Sequence, residues 1–187
     1  KKVIKKKKDK RIINEYKKIL KYKKMIKFVY QNNPRGTGDA VLKTKNLIKD
    51  KFFMMLLPDD LIIGRNCSKD MIFLHNKKKC SVMASMKVNK STVNRWGIYS
   101  KKKNINKNNF YINDVVEKPN IKSAPSNNAV IGRYILPKKI FAKLKNQKKG
   151  KGGEIHITDS IKKLIKDGEK FIGHNFKGKY LDCGTIE

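Results

Sequence analysis

Residues 52–60, FFMMLLPDD, place two carboxylates directly behind an unbroken apolar run. Six apolar residues closed by Pro58 are of strand length, and a run without alternation predicts a strand buried on both faces of a sheet. In open α/β sheets, ligands collect beyond the carboxyl ends of the strands, so Asp59 and Asp60 stand where such a fold holds its chemistry. From position alone, Asp59 could equally end its strand and cap the turn that follows. A third acid, Asp182, closes the strand-like pair Tyr180 and Leu181. Upstream, the turn-rich QNNPRGTG runs into Ala40, Val41, Thr44, Leu47 and Ile48, which fall on one helical stripe. A glycine loop feeding a helix N-terminus exposes backbone amides at a positive helix end, which suits a phosphate or a base edge. Gly36 and Gly38 are also compatible with a tight turn and nothing more.

The other reactive side chains carry less. Glu117 and Lys118, read alone, are an exposed ion pair of negligible energy. His75, His156 and His174 have neither a ligand partner nor a nucleophile at motif spacing, which assigns them structural or solvent roles. Cys67, Cys80 and Cys183 are odd in number and far apart, which excludes a CxxC metal knuckle and disfavours a disulfide framework; a reducing cytoplasm fits that usage.

Composition sets the frame. The 187 residues suffice for one domain with a hydrophobic core, and 39% hydrophobic content separates the chain from a disordered polycation despite a formal net charge of +32. Such a charge would bind nucleic-acid phosphates by counterion release without reading sequence. Yet five of the 47 basic residues are arginine, the type suited to specific recognition, and lysine is spread through nearly every segment beside Asn and Ile. These three share A/T-rich codons, so codon bias accounts for the charge, with a selected polyanion-binding surface as the alternative. No run of about 18 apolar residues is present, so no membrane span is expected. The opening KKVIKKKKDKR lacks a signal peptide's apolar segment. Beginning at Lys1, the sequence reads as a piece of a longer chain.

Elements must hold these residues in place. Ile12, Ile13, Tyr16, Ile19 and Leu20 recur at helical spacing over residues 9–24, an amphipathic helix behind a frayed basic start. Residues 25–30, MIKFVY, predict a strand. With the glycine loop, the helix and the buried strand it would complete a βαβ unit. Further strands are expected at 80–88, 95–99, 110–117, 128–136, 171–176 and 180–181, with helices near 69–79, after Pro137, and over 157–165. KKKNINKNN reads as a solvent loop. The fold class is α/β.

Taken in order, QNNPRGTGDAVL, LLPDDLI, WGIYS, DVVEKP, APSNNAVIGRYIL, GKGGEIHITDSI and KYLDCG resemble the bacterial UTP–glucose-1-phosphate uridylyltransferases, nucleotidyltransferases of the sugar-nucleotide pyrophosphorylase type. The resemblance extends from about Tyr16 to Gly184. It implies a Rossmann-like three-layer fold with a mixed, mostly parallel sheet, incomplete at both ends. Residues 1–187 would form one partial nucleotidyltransferase domain, a basic helical segment over 1–24 and a nucleotide-, metal- and sugar-binding part over 25–184.

The resemblance also implies roles. Gln31 matches the glutamine that reads the uracil edge, and Gly36 and Gly38 the glycines that let the backbone approach the base. Asp59 and Asp182 match carboxylates that hold Mg²⁺ on the nucleotide phosphates. Gly97, Glu117, Asn127 and Gly132 fall in the sugar-binding segments, and Lys118 matches the lysine that pairs with the sugar phosphate. The implied reaction joins UTP and glucose 1-phosphate into UDP-glucose and pyrophosphate in a homo-oligomeric enzyme; a thymidylyltransferase using dTTP is the alternative within the class. The family's G-x-G-T-R strand loop, which grips the triphosphate, has no counterpart in KKVIKKKKDKRII.

Overall fold

A computed structural model describes residues 9–184, which divide into two compact units on either side of the Asn32–Asn33 bond. In the first unit, α1 (Lys10–Lys23) starts where the Asp9 carboxylate accepts the Arg11 amide at 2.8 Å, an ordinary N-cap. Lys21 and Lys23 occupy its last turn, where positive charge complements the helix dipole. No residue of α1 is fully buried. The strand expected of MIKFVY is not formed: Phe28 is 78% and Tyr30 81% exposed in a segment without regular structure. Strand propensity needs a hydrogen-bonded neighbour, and among the described residues this segment has no ladder. The expected βαβ unit therefore lacks its first strand.

The second unit holds α2 (Thr37–Lys43), β1 (Phe52–Leu56), β2 (Asp60–Ile63), α3 (Cys67–Lys78), β3 (Ser81–Lys87), β4 (Gly97–Asn104) and β5 (Asn109–Glu117). It continues with β6 (Asn128–Pro137), α4 (Ile140–Lys145), α5 (Ile157–Lys166), β7 (Phe171–Asn175) and β8 (Lys179–Asp182). Six strands make one sheet in the order β1-β6-β3-β7-β5-β4, and β2 and β8 make a small antiparallel ladder of their own. The sheet is mixed, as expected. It is not mostly parallel among the described residues: β3–β7 is parallel and the other pairings are antiparallel. The reason is the ten-residue β6, which runs against both β1 and β3, and the β4–β5 hairpin, whose first strand takes up the KKKN of the expected solvent loop.

β1 is at the sheet edge rather than its centre, and its residues are half-buried or exposed. Its apolar run is still two-faced. Phe53 and Met55 pack on one core, with Met83, Tyr134, Leu136 and Phe141, while Phe52 and Met54 pack on the other, with Met71, Val82 and Ile135. The first core is roofed by α2, α4 and α5, the second by α3, and this gives three layers. The stripe Ile157, Ile161 and Leu164 buries α5 against the sheet, and full burial of each such side chain contributes about 1.5–3 kcal/mol. β4 pairs with β5 and, at Ile98, with Ala129 of β6; beyond that point it carries Lys101, Lys102 and Lys103 and irregular register, the usual protection of an open ladder.

Candidate functional site

A cavity of about 260 Å³ opens in the second unit where β1, β5, β6 and the β2–β8 ladder meet the start of α5. Asp59, Asp60, Gly97, Glu117, Gly132 and Asp182 line it, together with Thr37, Arg95, Trp96, His156, Thr158 and Tyr180. Beyond β1 the chain stays tied to β6 through the Leu57 amide on the Gly132 carbonyl at 2.8 Å. Pro58, which has no N–H to donate, ends that ladder and releases Asp59.

The two acids that follow this break are placed by β8 and the residue after it. Asp60 is the register partner of Asp182, and the Cys183 amide donates to the Asp59 carbonyl at 2.8 Å. The Asp182 carboxylate accepts the Gly184 amide at 2.9 Å. A side chain on Gly184 would begin 3.0 Å from Asp59 Oδ2 and 3.2 Å from Asp182 Oδ1, so the carboxylates share one small space.

Asp60 is engaged differently. Its Oδ2 accepts the Gly132 amide in a short bond and its Oδ1 accepts the Tyr180 hydroxyl at 2.6 Å. Burial, then the hydrogen bond to Asp60, hold the Tyr180 phenol protonated well above its usual range. Gly132 is required by this packing, because a Cβ there would lie 2.5 Å from Leu57 Cβ and against the Asp60 carboxylate. On the far wall, Gly97 is the register partner of Glu117, and a Cβ at Gly97 would come within 3.2 Å of Glu117 Oε2. Thr158 donates to that oxygen at 3.3 Å. Beneath them, burial, reinforced by Asp60 and Glu117, raises the Tyr134 phenol far above its ordinary value.

The structure therefore brings together Asp59, Asp182, Gly97, Glu117 and Gly132. Lys118 follows Glu117 with φ +44° and its amide on the Trp96 carbonyl at 3.0 Å, but it is not among the lining residues. Asn127 also lies off the cavity, with its side-chain amide on the Val88 carbonyl at 3.2 Å. Gly36 and Gly38 flank Thr37, and close packing explains both. A Cβ would meet the Ile155 carbonyl at 2.9 Å from Gly36 and 2.7 Å from Gly38. Gln31 lies in the first unit. Sequence reasoning missed Tyr180, Thr158 and the separate role of Asp60; the signal for Tyr180 was its place two residues before Asp182.

Among the described residues, no group of three or more His, Cys, Asp or Glu gathers as a metal cage. Two converging carboxylates still fit a hard divalent cation that keeps several waters, which is how Mg²⁺ is commonly held. No described helix is long and apolar enough to cross a membrane.

Comparison with known proteins bears on the family and the fold. The chain is 39% identical over 163 residues to a UTP–glucose-1-phosphate uridylyltransferase of Pseudomonas aeruginosa, covering 86% of this chain and 58% of that protein. It is 35% identical over 162 residues to UTP–glucose-1-phosphate uridylyltransferase 2 of Streptococcus pyogenes, covering 84% of this chain and 54% of the relative. It thus spans a little over half the length of these curated relatives. A crystal structure of UDP-glucose pyrophosphorylase complexed with UDP-glucose superposes with a TM-score of 0.80 at 39% identity, over 85% of this chain and 61% of the other. A UTP-bound UGPase from Acinetobacter baumannii gives 0.73 at 28% identity, over 92% of this chain and 62% of that one. The nucleotidyl transferase family profile matches residues 1–187, and the chain belongs to that family.

Proposed function

We propose that this region forms the sugar- and metal-binding part of an enzyme that transfers UMP from UTP to glucose 1-phosphate, giving UDP-glucose and pyrophosphate. The observation that carries the reading is the meeting of Asp59 and Asp182 in one cavity with the Gly97–Glu117 pair. The names of the relatives supply the substrates.

In this reading a phosphate oxygen of glucose 1-phosphate attacks the α-phosphorus of UTP in line. A phosphorus–oxygen bond forms to the sugar phosphate as the bond to pyrophosphate breaks, so no covalent enzyme intermediate is needed. Glu117, steadied by Thr158, accepts hydrogen bonds from sugar hydroxyls, and Gly97 leaves room for the ring to approach the strand. Lys118 supplies a compact positive charge to the sugar phosphate. Asp59 and Asp182 would hold Mg²⁺, and the ion would supply positive charge to offset the negative charge of the phosphates. Gly36 and Gly38 serve the base, and Asn127 holds the β3 end of the sugar segment through Val88.

The experiment is a direct product assay with Mg²⁺, glucose 1-phosphate and either UTP or dTTP. UDP-glucose and pyrophosphate in equal amounts, with UTP preferred, support the reading. Triphosphate hydrolysis without a sugar nucleotide, or a preference for dTTP, counts against it.

A further inference from the structure

We propose that Tyr180 sets the donor count of the cation site by keeping Asp60 out of it. The inference rests on the reading of Asp59 and Asp182 as cation ligands. Asp60 and Asp182 are paired across the β2–β8 ladder, so their side chains leave the same face of that ladder. Asp59 adjoins them, and three carboxylates line the one cavity.

Hydrogen bonds fix the orientation of the third, and among the described residues the three do not gather as a cage. Asp60 gives Oδ2 to the Gly132 amide and Oδ1 to the Tyr180 hydroxyl. The first donor is backbone and fixed, whereas the second is a side chain that one substitution removes. Trp96 packs edge-on against the Tyr180 ring at 5.7 Å and fixes its orientation. Two carboxylates with retained waters suit Mg²⁺, while a third anionic oxygen raises charge and coordination number in the direction that favours Ca²⁺. Tyr180 is therefore a positioning residue that determines cation preference through Asp60.

Tyr180→Phe keeps the ring and its contact with Trp96 and deletes the donor. Mn²⁺ is the probe, followed by electron paramagnetic resonance with saturating UDP-glucose, and it is displaced in turn by Mg²⁺ and by Ca²⁺. In Tyr180→Phe, Ca²⁺ should displace Mn²⁺ about tenfold better, relative to Mg²⁺, than in the wild type. The double variant Asp60→Asn/Tyr180→Phe should return the ratio to the wild-type value. A merely structural role would weaken both cations together and leave their ratio unchanged; that result overturns the inference while leaving the two-aspartate reading standing. Failure of the wild type to retain Mn²⁺ would overturn both.

Discussion

Asp59 and Asp182, 123 positions apart in sequence, direct carboxylate oxygens to within 3.0 and 3.2 Å of the same point beside Gly184. Adjacent Asp60 instead spends both oxygens on Gly132 and Tyr180. Two neighbouring acids of identical chemistry thus have separate tasks, one facing the cavity and one bracing its wall.

That division predicts opposite phenotypes. Asp60→Asn weakens a charge-assisted bond to the Gly132 amide, so it should lower stability by about 1–3 kcal/mol in a urea titration. Asp59→Asn should leave the midpoint near the wild-type value. Equal destabilisation by both would refute the assignment.

Gly132→Ala tests the wall itself. The added methyl would sit 2.5 Å from Leu57 Cβ and against a carboxylate held by two donors. Overpacking of this kind costs about 1–3 kcal/mol, and thermal melting should show a lowered midpoint together with weaker UDP-glucose binding.

The glycine loop before α2 is fastened by an ion pair. Arg35 Nη2 meets the buried Asp39 carboxylate at 2.6 Å, while the Gly38 amide and the Arg35 carbonyl each bond Ile155 at 2.7 Å. Arg35→Met should destabilise the chain by about 1–3 kcal/mol, less than a wholly buried pair because the guanidinium is half exposed. Denaturant unfolding measures it.

Burial pushes the Cys67 thiol up to about 11, whereas Cys183 is exposed. A thiol whose folded value lies above its unfolded value of about 8.5 stabilises the fold below that pH, and the contribution is lost as pH rises toward the folded value. Cys67→Ala should flatten the fall in stability above about pH 8.5. A thiol reagent at neutral pH should label Cys183 rapidly and Cys67 only on unfolding.

Much of this was legible in sequence because it is local. The 3.6-residue stripes of Ile157, Ile161 and Leu164, and of Ile12, Tyr16 and Ile19, mark helices that stand where periodicity puts them. The run FFMML is a strand with both faces covered, yet nothing in its residues tells that it lies at the sheet edge, since strand order depends on distant partners such as β6. The same limit hid the β2–β8 ladder, formed by residues 60–63 and 179–182, and with it the bond from Tyr180 to Asp60. MIKFVY has strand propensity and no ladder among the described residues, because propensity cannot supply a neighbour. Asp59, Glu117 and Gly132 line the cavity from contiguous motifs; Lys118 and Asn127 have motifs as clear and are not among its lining residues.

Asp59 and Asp182 are proposed to bind jointly the cation that a sugar nucleotide requires. Calorimetric titration of UDP-glucose into wild type, Asp59→Asn and Asp182→Asn, each with Mg²⁺ and with EDTA, tests it most directly. Mg²⁺ should strengthen binding to the wild type, and either substitution should abolish the difference between the two buffers. A Mg²⁺ effect of wild-type size in both variants would contradict it.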